Sequence, residues 1–392
     1  MTAGAGETRS AACPPLASVP PPAAPPALSD APPAVLQLLN SGASVAAVTT
    51  VLTQWGMTST NPSEVVAPVT SAKVLPGADA QMIVVLYDPI EKDPTVRSGD
   101  VLVFGCSTGK FALLYRAADD PAFGGQVPNP RLLAIRDVTG DGLADIAFVT
   151  GECTAATCVR GVTVLAQLSG TTGLTDISTD INAGPTPVFS FVPSGRDASQ
   201  ALVIGYGTLD DVNAGPQRAY TETWMLAGSS YTLTASVKDP PVFRVHALHD
   251  ADAAFRQKSF SAAAALYQRV ISDATLESWE GPGALTDEQS VLAAFSQFRL
   301  AELAAAQGNV PGVQAAISTL QASVKPGSPA EVYAKMAFEF SNQLKDSGSF
   351  LQACNSVIVF AEHNQSAFHQ LGGDVFGFSN VDYQPGDMCI KP

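Results

Sequence analysis

Asp137-Val-Thr-Gly-Asp141-Gly-Leu-Ala-Asp145 places three carboxylates and the Thr139 hydroxyl at short intervals, with a glycine on each side of the central acid. Glycines let so short a segment turn tightly, and its oxygens can then converge on a hard cation such as Ca²⁺. The apolar run Ile146 to Val149 follows at once and has the composition of a buried strand, so the loop is expected at the head of a β-strand. An EF-hand starts in the same way but needs a bidentate Glu at its twelfth position, where this chain has Phe148. A solvated Asp-Gly turn without metal is the remaining alternative. A bound ion would have a structural task, neutralising three acids that repel one another.

No other constellation has comparable chemistry. Gly105-Cys-Ser107-Thr-Gly109 matches the G-x-S-x-G pattern of serine hydrolases, which needs a strand, a strained turn and a helix. Lys110 to Tyr115 reads instead as a second strand, so a hairpin turn is expected around Ser107. His246 and His249 stand near Asp250 and Asp252 without a zinc motif, and are expected on a helix surface. His363 and His369 belong to no recognisable constellation, and no phosphate-cradling loop is present. The chain is therefore read as a non-catalytic binding or assembly protein.

A formal net charge of −15 with only 21 Lys and Arg excludes a nucleic-acid partner, which needs a basic face; an acidic surface attracts divalent cations instead. No apolar stretch has the length of a membrane span. Six cysteines are too few for a disulfide-dense scaffold. Cys153 and Cys158 bracket a short polar tip and are expected to close a hairpin, while Cys354 and Cys389 are a second expected pair; free buried thiols are the alternative for all of them.

Residues 1–33 are dominated, from Cys13 on, by Pro and Ala, which favours an extended spacer without a core. Met1 to Ser10 lacks an apolar signal segment, yet Ala11-Ala12-Cys13 resembles the start of a processed bacterial lipoprotein, making Cys13 an expected lipid-anchor site and the cell envelope or extracellular space the expected setting. Residues 34–63 read as short helices. Residues 64–238 change to short Val, Ile, Phe, Tyr and Thr runs punctuated by Gly, Asp and Pro, the pattern of β structure. Three units align on Gly77, Gly140 and Gly195, each with a strand before the glycine loop and an apolar strand after it.

The central unit resembles the FG-GAP or VCBS repeat of integrin-type β-propellers, whose acidic loop binds calcium between the first two strands of a blade. The resemblance implies one structural Ca²⁺ held by Asp137, Thr139, Asp141, the Leu143 carbonyl and Asp145, with Thr139 in place of the usual Asn or Asp. Three blades are fewer than a closed propeller uses, so an antiparallel blade module that is open or capped by other elements is expected.

Residues 239–392 switch to a helical period, with six helices expected near Val245 to Gln257, Ser259 to Asp273, Asp287 to Gln307, Val310 to Ser323, Pro329 to Lys345 and Phe350 to His363. Phe260-x-x-Ala263-x-x-x-Tyr267 recurs in form as Val310-x-x-Val313-x-x-x-Ile317 and Phe350-x-x-Ala353-x-x-x-Val357. The first resembles a tetratricopeptide repeat, which implies stacked helical hairpins with extended grooves. The fold class expected is thus α+β multidomain: an antiparallel β module followed by helical hairpins. Partner-binding or self-assembly is the expected function. Glycan binding through Tyr206, Tyr220 and Trp224, taken as exposed loop aromatics, is the alternative, and a hydrolase built on Ser107 is third.

Overall fold

The computed structural model describes residue 13, residues 22–25 and residues 27–391, apart from 59–65, 79, 92, 94–96, 108, 126, 154–157, 170–172, 179–180 and 185–186. The chain divides into two compact units, one comprising residues 1–207 and 220–237, the other 208–219 and 238–392. Antiparallel sheets make up the first and helices the second, as the sequence pattern predicts.

Most of the Pro/Ala-rich segment lies outside the described residues. Helix α1 (Ala31–Asn40) nonetheless begins inside the stretch read as a spacer. Pro32 and Pro33 occupy its first turn, where a missing N–H costs nothing and the fixed φ suits a helix. Helix α2 (Val45–Trp55) is capped by the Ser44 hydroxyl, which accepts the Ala47 N–H, and stops at left-handed Gly56.

Among the described residues fourteen strands follow. The first sheet joins β1 (Val69–Ser71), β2 (Ala80–Tyr87), β3 (Ser98–Ser107) and β4 (Lys110–Arg116) in that order, with β5 (Val127–Pro128) also on β3. The second joins β6 (Arg131–Arg136), β7 (Asp145–Cys153) and β8 (Cys158–Gln167), with β9 (Leu174–Asp176) and β10 (Asn182–Ala183) both on β8. The third joins β11 (Val188–Pro193), β12 (Gln200–Tyr206), β13 (Tyr220–Ala227) and β14 (Ser230–Lys238). Among the described residues the three sheets do not close into a barrel or propeller.

Side-chain alternation explains how these sheets layer. Met82, Val84 and Leu86 of β2 pack with Val35, Leu38, Val48 and Leu52 of α1 and α2. Their neighbours Ile83, Val85 and Tyr87 face Ile146, Phe148 and Leu165 of the second sheet. Ala147 and Val149 of β7 then face Leu202, Ile204 and Tyr206 of the third. Strands buried on both faces need the continuous apolar runs seen at residues 82–87 and 146–149. The third sheet has one covered face only; β14 is exposed beyond Tyr231, and its sequence alternates Thr with apolar residues accordingly.

The aligned glycines share a backbone state: Gly77, Gly140 and Gly195 have φ of 82°, 84° and 73°. Each loop joins the first two strands of its sheet, and adjacent loops touch. Ala144 N–H donates to Lys73 O at 2.8 Å, and Gln200 N–H donates to Val138 O at 2.8 Å. A Cβ at Gly140 would lie 2.7 Å from Ala198 Cβ, so this position requires glycine for both its φ and its packing.

The second unit contains α3 (Arg244–Arg256), α4 (Phe260–Ser272), α5 (Glu288–Ala306), α6 (Val310–Ser323), α7 (Glu331–Ser347) and α8 (Phe350–His363). Consecutive helices pair as α3 with α4, α5 with α6 and α7 with α8. The repeated spacing has a packing basis: Ala263 and Tyr267, Val313 and Ile317, and Ala353 and Val357 are all buried. Ala263 and Ala353, small residues at the first position of their pairs, admit the neighbouring helix. The tail returns over these helices, burying Phe376, Tyr383, Met388 and Ile390 in their core. Residues 208–219 also belong here: Arg218 holds Asp250 with bonds of 2.7 and 2.9 Å, and Asn380 Nδ2 donates to Pro216 O at 3.0 Å.

Candidate functional site

The acidic loop emerges from β6 and ends at the first residue of β7, as its sequence predicts; no helix follows it. Asp137 is half-buried and its carboxylate accepts three backbone N–H groups, from Gly140 (2.6 Å), Asp141 (3.1 Å) and Gly142 (2.9 Å). Asp141 is exposed and accepts the Leu143 N–H at 2.8 Å, a local Asx turn. Asp145 is 1% exposed; its Oδ2 accepts the N–H groups of Val138 (2.7 Å) and Thr139 (2.9 Å). These bonds let the loop fold back without any ion.

The accounting leaves two oxygens over. Asp145 Oδ1 and Thr139 Oγ1 are both buried, and among the described residues neither has a hydrogen-bond partner outside the Asp145–Thr139 pair itself. Burial pushes the Asp145 carboxyl up to about 6, against which the two N–H donors and the Thr139 hydroxyl act and to which the Asp141 charge adds. Among the described residues no Lys, Arg or His pairs with Asp137, Asp141 or Asp145. A buried anion without counter-charge is costly, and buried oxygens without donors are uncommon. The donor set is oxygen alone, which suits Ca²⁺ or another hard cation. Asp145 Oδ1, Thr139 Oγ1, the Asp137 and Asp141 carboxylates and the Leu143 carbonyl are the atoms that would hold it. The three carboxylates do not gather as ligands here, since Asp137 and Asp141 are turned to backbone N–H groups. Among the described residues, the metal-ligating atoms that all lie within 4.8 Å of one another are those of Glu302, Cys354 and Cys389.

The cysteines are placed as follows. Cys354 and Cys389 form a disulfide, as the sequence predicts, and pin the tail to α8. The β7–β8 register sets Cys153 opposite Cys158, but their side chains lie outside the described residues. Cys13 is bonded to Cys106 on β3, a pairing the sequence reading missed, although it remains once the other four cysteines are paired. A sulfur in that bond has no valence for a lipid thioether, so the bridge and a lipid anchor at Cys13 exclude each other.

The other candidates come out differently. Ser107 pairs with Lys110 across a two-residue hairpin loop, and β4 follows directly, so no strand–turn–helix exposes it as a nucleophile. Tyr206, Tyr220 and Trp224 are on strands β12 and β13, not in loops. Tyr206 is buried and stacked on Tyr220 with centroids 4.2 Å apart, and Glu222 accepts both the Tyr206 hydroxyl (2.7 Å) and the Trp224 N–H (3.0 Å). The polar ends of Tyr206 and Trp224 are thus occupied by a neighbour in the same sheet. His246 and His249 are turned inward, correcting the expected surface placement. His246 Nε2 lies 3.0 Å from Pro216 O, and burial lowers the His249 imidazole to about 4. Phe338 on α7 is 52% exposed.

A buried ionic cluster in the helical unit was not foreseen. Arg299 is fully buried and bonds Glu302 at 2.7 Å and Asp252 at 3.2 Å. Asp252 also accepts the hydroxyls of Tyr267 (2.6 Å) and Tyr383 (2.9 Å), and Arg299 donates to Asp387 O, so the cluster anchors the tail. Burial raises the Glu302 carboxyl to about 8 despite the Arg299 charge. Its sequence signal is the pair Arg299-x-x-Glu302 inside the otherwise apolar run of α5.

Among the described residues no helix is long and apolar enough to cross a membrane. Comparison with protein-family models, with curated proteins and with solved structures yields no match.

Proposed function

We propose that this chain is a non-catalytic, calcium-binding protein of an extracytoplasmic compartment that holds a protein partner or assembles with itself. The observation that carries the reading is the buried pair Asp145 Oδ1 and Thr139 Oγ1, with no hydrogen-bond partner beyond each other among the described residues, in a loop with three carboxylates and no ion pair to any of them. A divalent cation there would neutralise Asp145 and fix the middle one of three touching loops. The disulfides Cys13–Cys106 and Cys354–Cys389 support an oxidising setting. Exposed apolar side chains on the last hairpin, Phe338, Leu351 and Val359, support a protein partner over a small substrate.

Calorimetric titration of the full chain with Ca²⁺ tests the metal part of this reading. One saturable site is expected in the wild type, with none in Asp141→Ala. Absence of binding heat in the wild type at any calcium concentration, together with an unchanged spectrum of the loop amides, refutes it. Light scattering and crosslinking with and without calcium then separate self-assembly from a monomer that needs another protein.

A further inference from the structure

Phe243, just before α3, and Trp279, in the connection from α4 to α5, meet edge to face, with centroids 6.1 Å apart and planes at 76°. They form two walls of an open cleft of about 470 Å³ that is completed by Glu277, Ser278, Glu280 and Gly281. This lining contains two exposed carboxylates and no basic group. The backbone behind it is fixed. Glu277 N–H donates to Val242 O and Glu277 O accepts the Arg244 N–H, each at 2.9 Å, while Trp279 N–H donates to Glu288 Oε2 at 2.7 Å.

The nearby basic groups do not compete for this space. The Arg244 guanidinium is occupied by the carbonyls of Val270, Asp273 and Leu276. His246, edge-on to Phe243 at 5.7 Å, is held toward its neutral form by burial. Trp279 Nε1 has no hydrogen-bond partner, so the indole is positioned by packing. Gly281 is the packing surface: a Cβ there would fall 1.9 Å from Trp279 Cζ2.

We propose that this cleft binds a methylated ammonium group. Two rings set at nearly right angles in the lining of one cleft supply π-electron density for a cation whose charge is spread over methyls, and Glu277 and Glu280 add negative charge at the rim. A compact, strongly hydrated cation would gain less from the rings than it loses in hydration. The proposal is independent of the calcium loop, which belongs to the other unit.

Choline and tetramethylammonium are the probes, with 3,3-dimethylbutanol as the neutral, equally shaped control. The readout is the indole N–H resonance of Trp279, told apart from those of Trp55 and Trp224 by its absence in Trp279→Phe. Saturable movement of that resonance is expected with both cations, with at least about tenfold weaker binding of the neutral control. Glu277→Gln combined with Glu280→Gln is expected to weaken cation binding about tenfold while leaving the control unchanged. Gly281→Ala, which removes none of the lining side chains but displaces the indole, is expected to abolish it. Equal binding of the neutral control, movement confined to Trp55 or Trp224, or no saturable shift in the wild type would each overturn the proposal.

Discussion

Where β1 leads into β2, the buried Gln81 carboxamide accepts the N–H groups of Val74 (3.1 Å) and Leu75 (2.9 Å) and donates back to Leu75 O. Where β6 leads into β7, Asp145 does the matching work for Val138 and Thr139, at 2.7 and 2.9 Å. Both side chains are buried and both brace a turn with a left-handed glycine. Gln81 does so without charge and with both ends of its amide bonded. Asp145 does so as an acid, with one oxygen that has no partner but the Thr139 hydroxyl and, among the described residues, no ion pair. The first loop shows that a neutral amide is sufficient to hold such a turn. The charge in the second is therefore surplus to bracing the turn, which is the feature that the proposed cation accounts for.

The largest effect expected from this pair lies in the neutral loop. Gln81→Ala strands two N–H groups and one carbonyl in the interior and is expected to cost about 3–5 kcal/mol in urea unfolding, with or without calcium. A calcium-dependent loss there would erase the distinction between the loops.

The pH dependence of the acidic loop comes next. With its folded value near 6 and its unfolded value at the ordinary 3.8, Asp145 binds a proton more readily in the folded state between those limits. The stability this contributes is complete below about pH 4 and is lost as pH rises through 6, a fall of about 3 kcal/mol in chelated protein. Saturating calcium is expected to flatten that slope, because the ion favours the carboxylate. Unfolding curves at pH 4, 5, 6 and 7 read it directly; a rise in stability over this interval, attributable to the loop by its absence in Asp145→Asn, would contradict the assignment.

A smaller effect tests the comparison most sharply. Asp145→Asn turns the second loop into a copy of the first, retaining the acceptor for Val138 and Thr139 while removing the charge. It is expected to stabilise chelated protein at pH 7 by about 1–2 kcal/mol and to abolish the response to calcium. Asp141→Ala, at an exposed position, is expected to change chelated stability by less than about 0.5 kcal/mol while also removing the calcium response.

How legible these features were follows from where their signals lie. The six long helices were visible because their apolar period is local, and the observed ends differ from the expected ones by only a few residues, at caps such as Gly348. The acidic loop was visible because spacing, glycines and a following apolar run are all contiguous. What remained hidden depends on distant partners. Arg299 meets Asp252 across 47 positions and the tail across 88, and Cys13 reaches Cys106 across 93. His246 was read as a surface residue because its partner, Pro216, comes from a segment between two strands, which no helical period reveals. Tyr206 and Trp224 were read as loop aromatics because Glu222, which occupies both, is identified only by strand register.

The most direct test of the central claim is the melting temperature of the full chain at pH 7 with saturating calcium and with excess chelator, measured for the wild type and for Asp145→Asn. The wild type is expected to melt higher with calcium, by an amount equivalent to about 3 kcal/mol when the ion is at a hundred times its dissociation constant, and the variant to melt identically in both. Coincident wild-type curves in calcium and chelator would contradict the account, and would leave Asp145 as a buried acid that the fold merely tolerates.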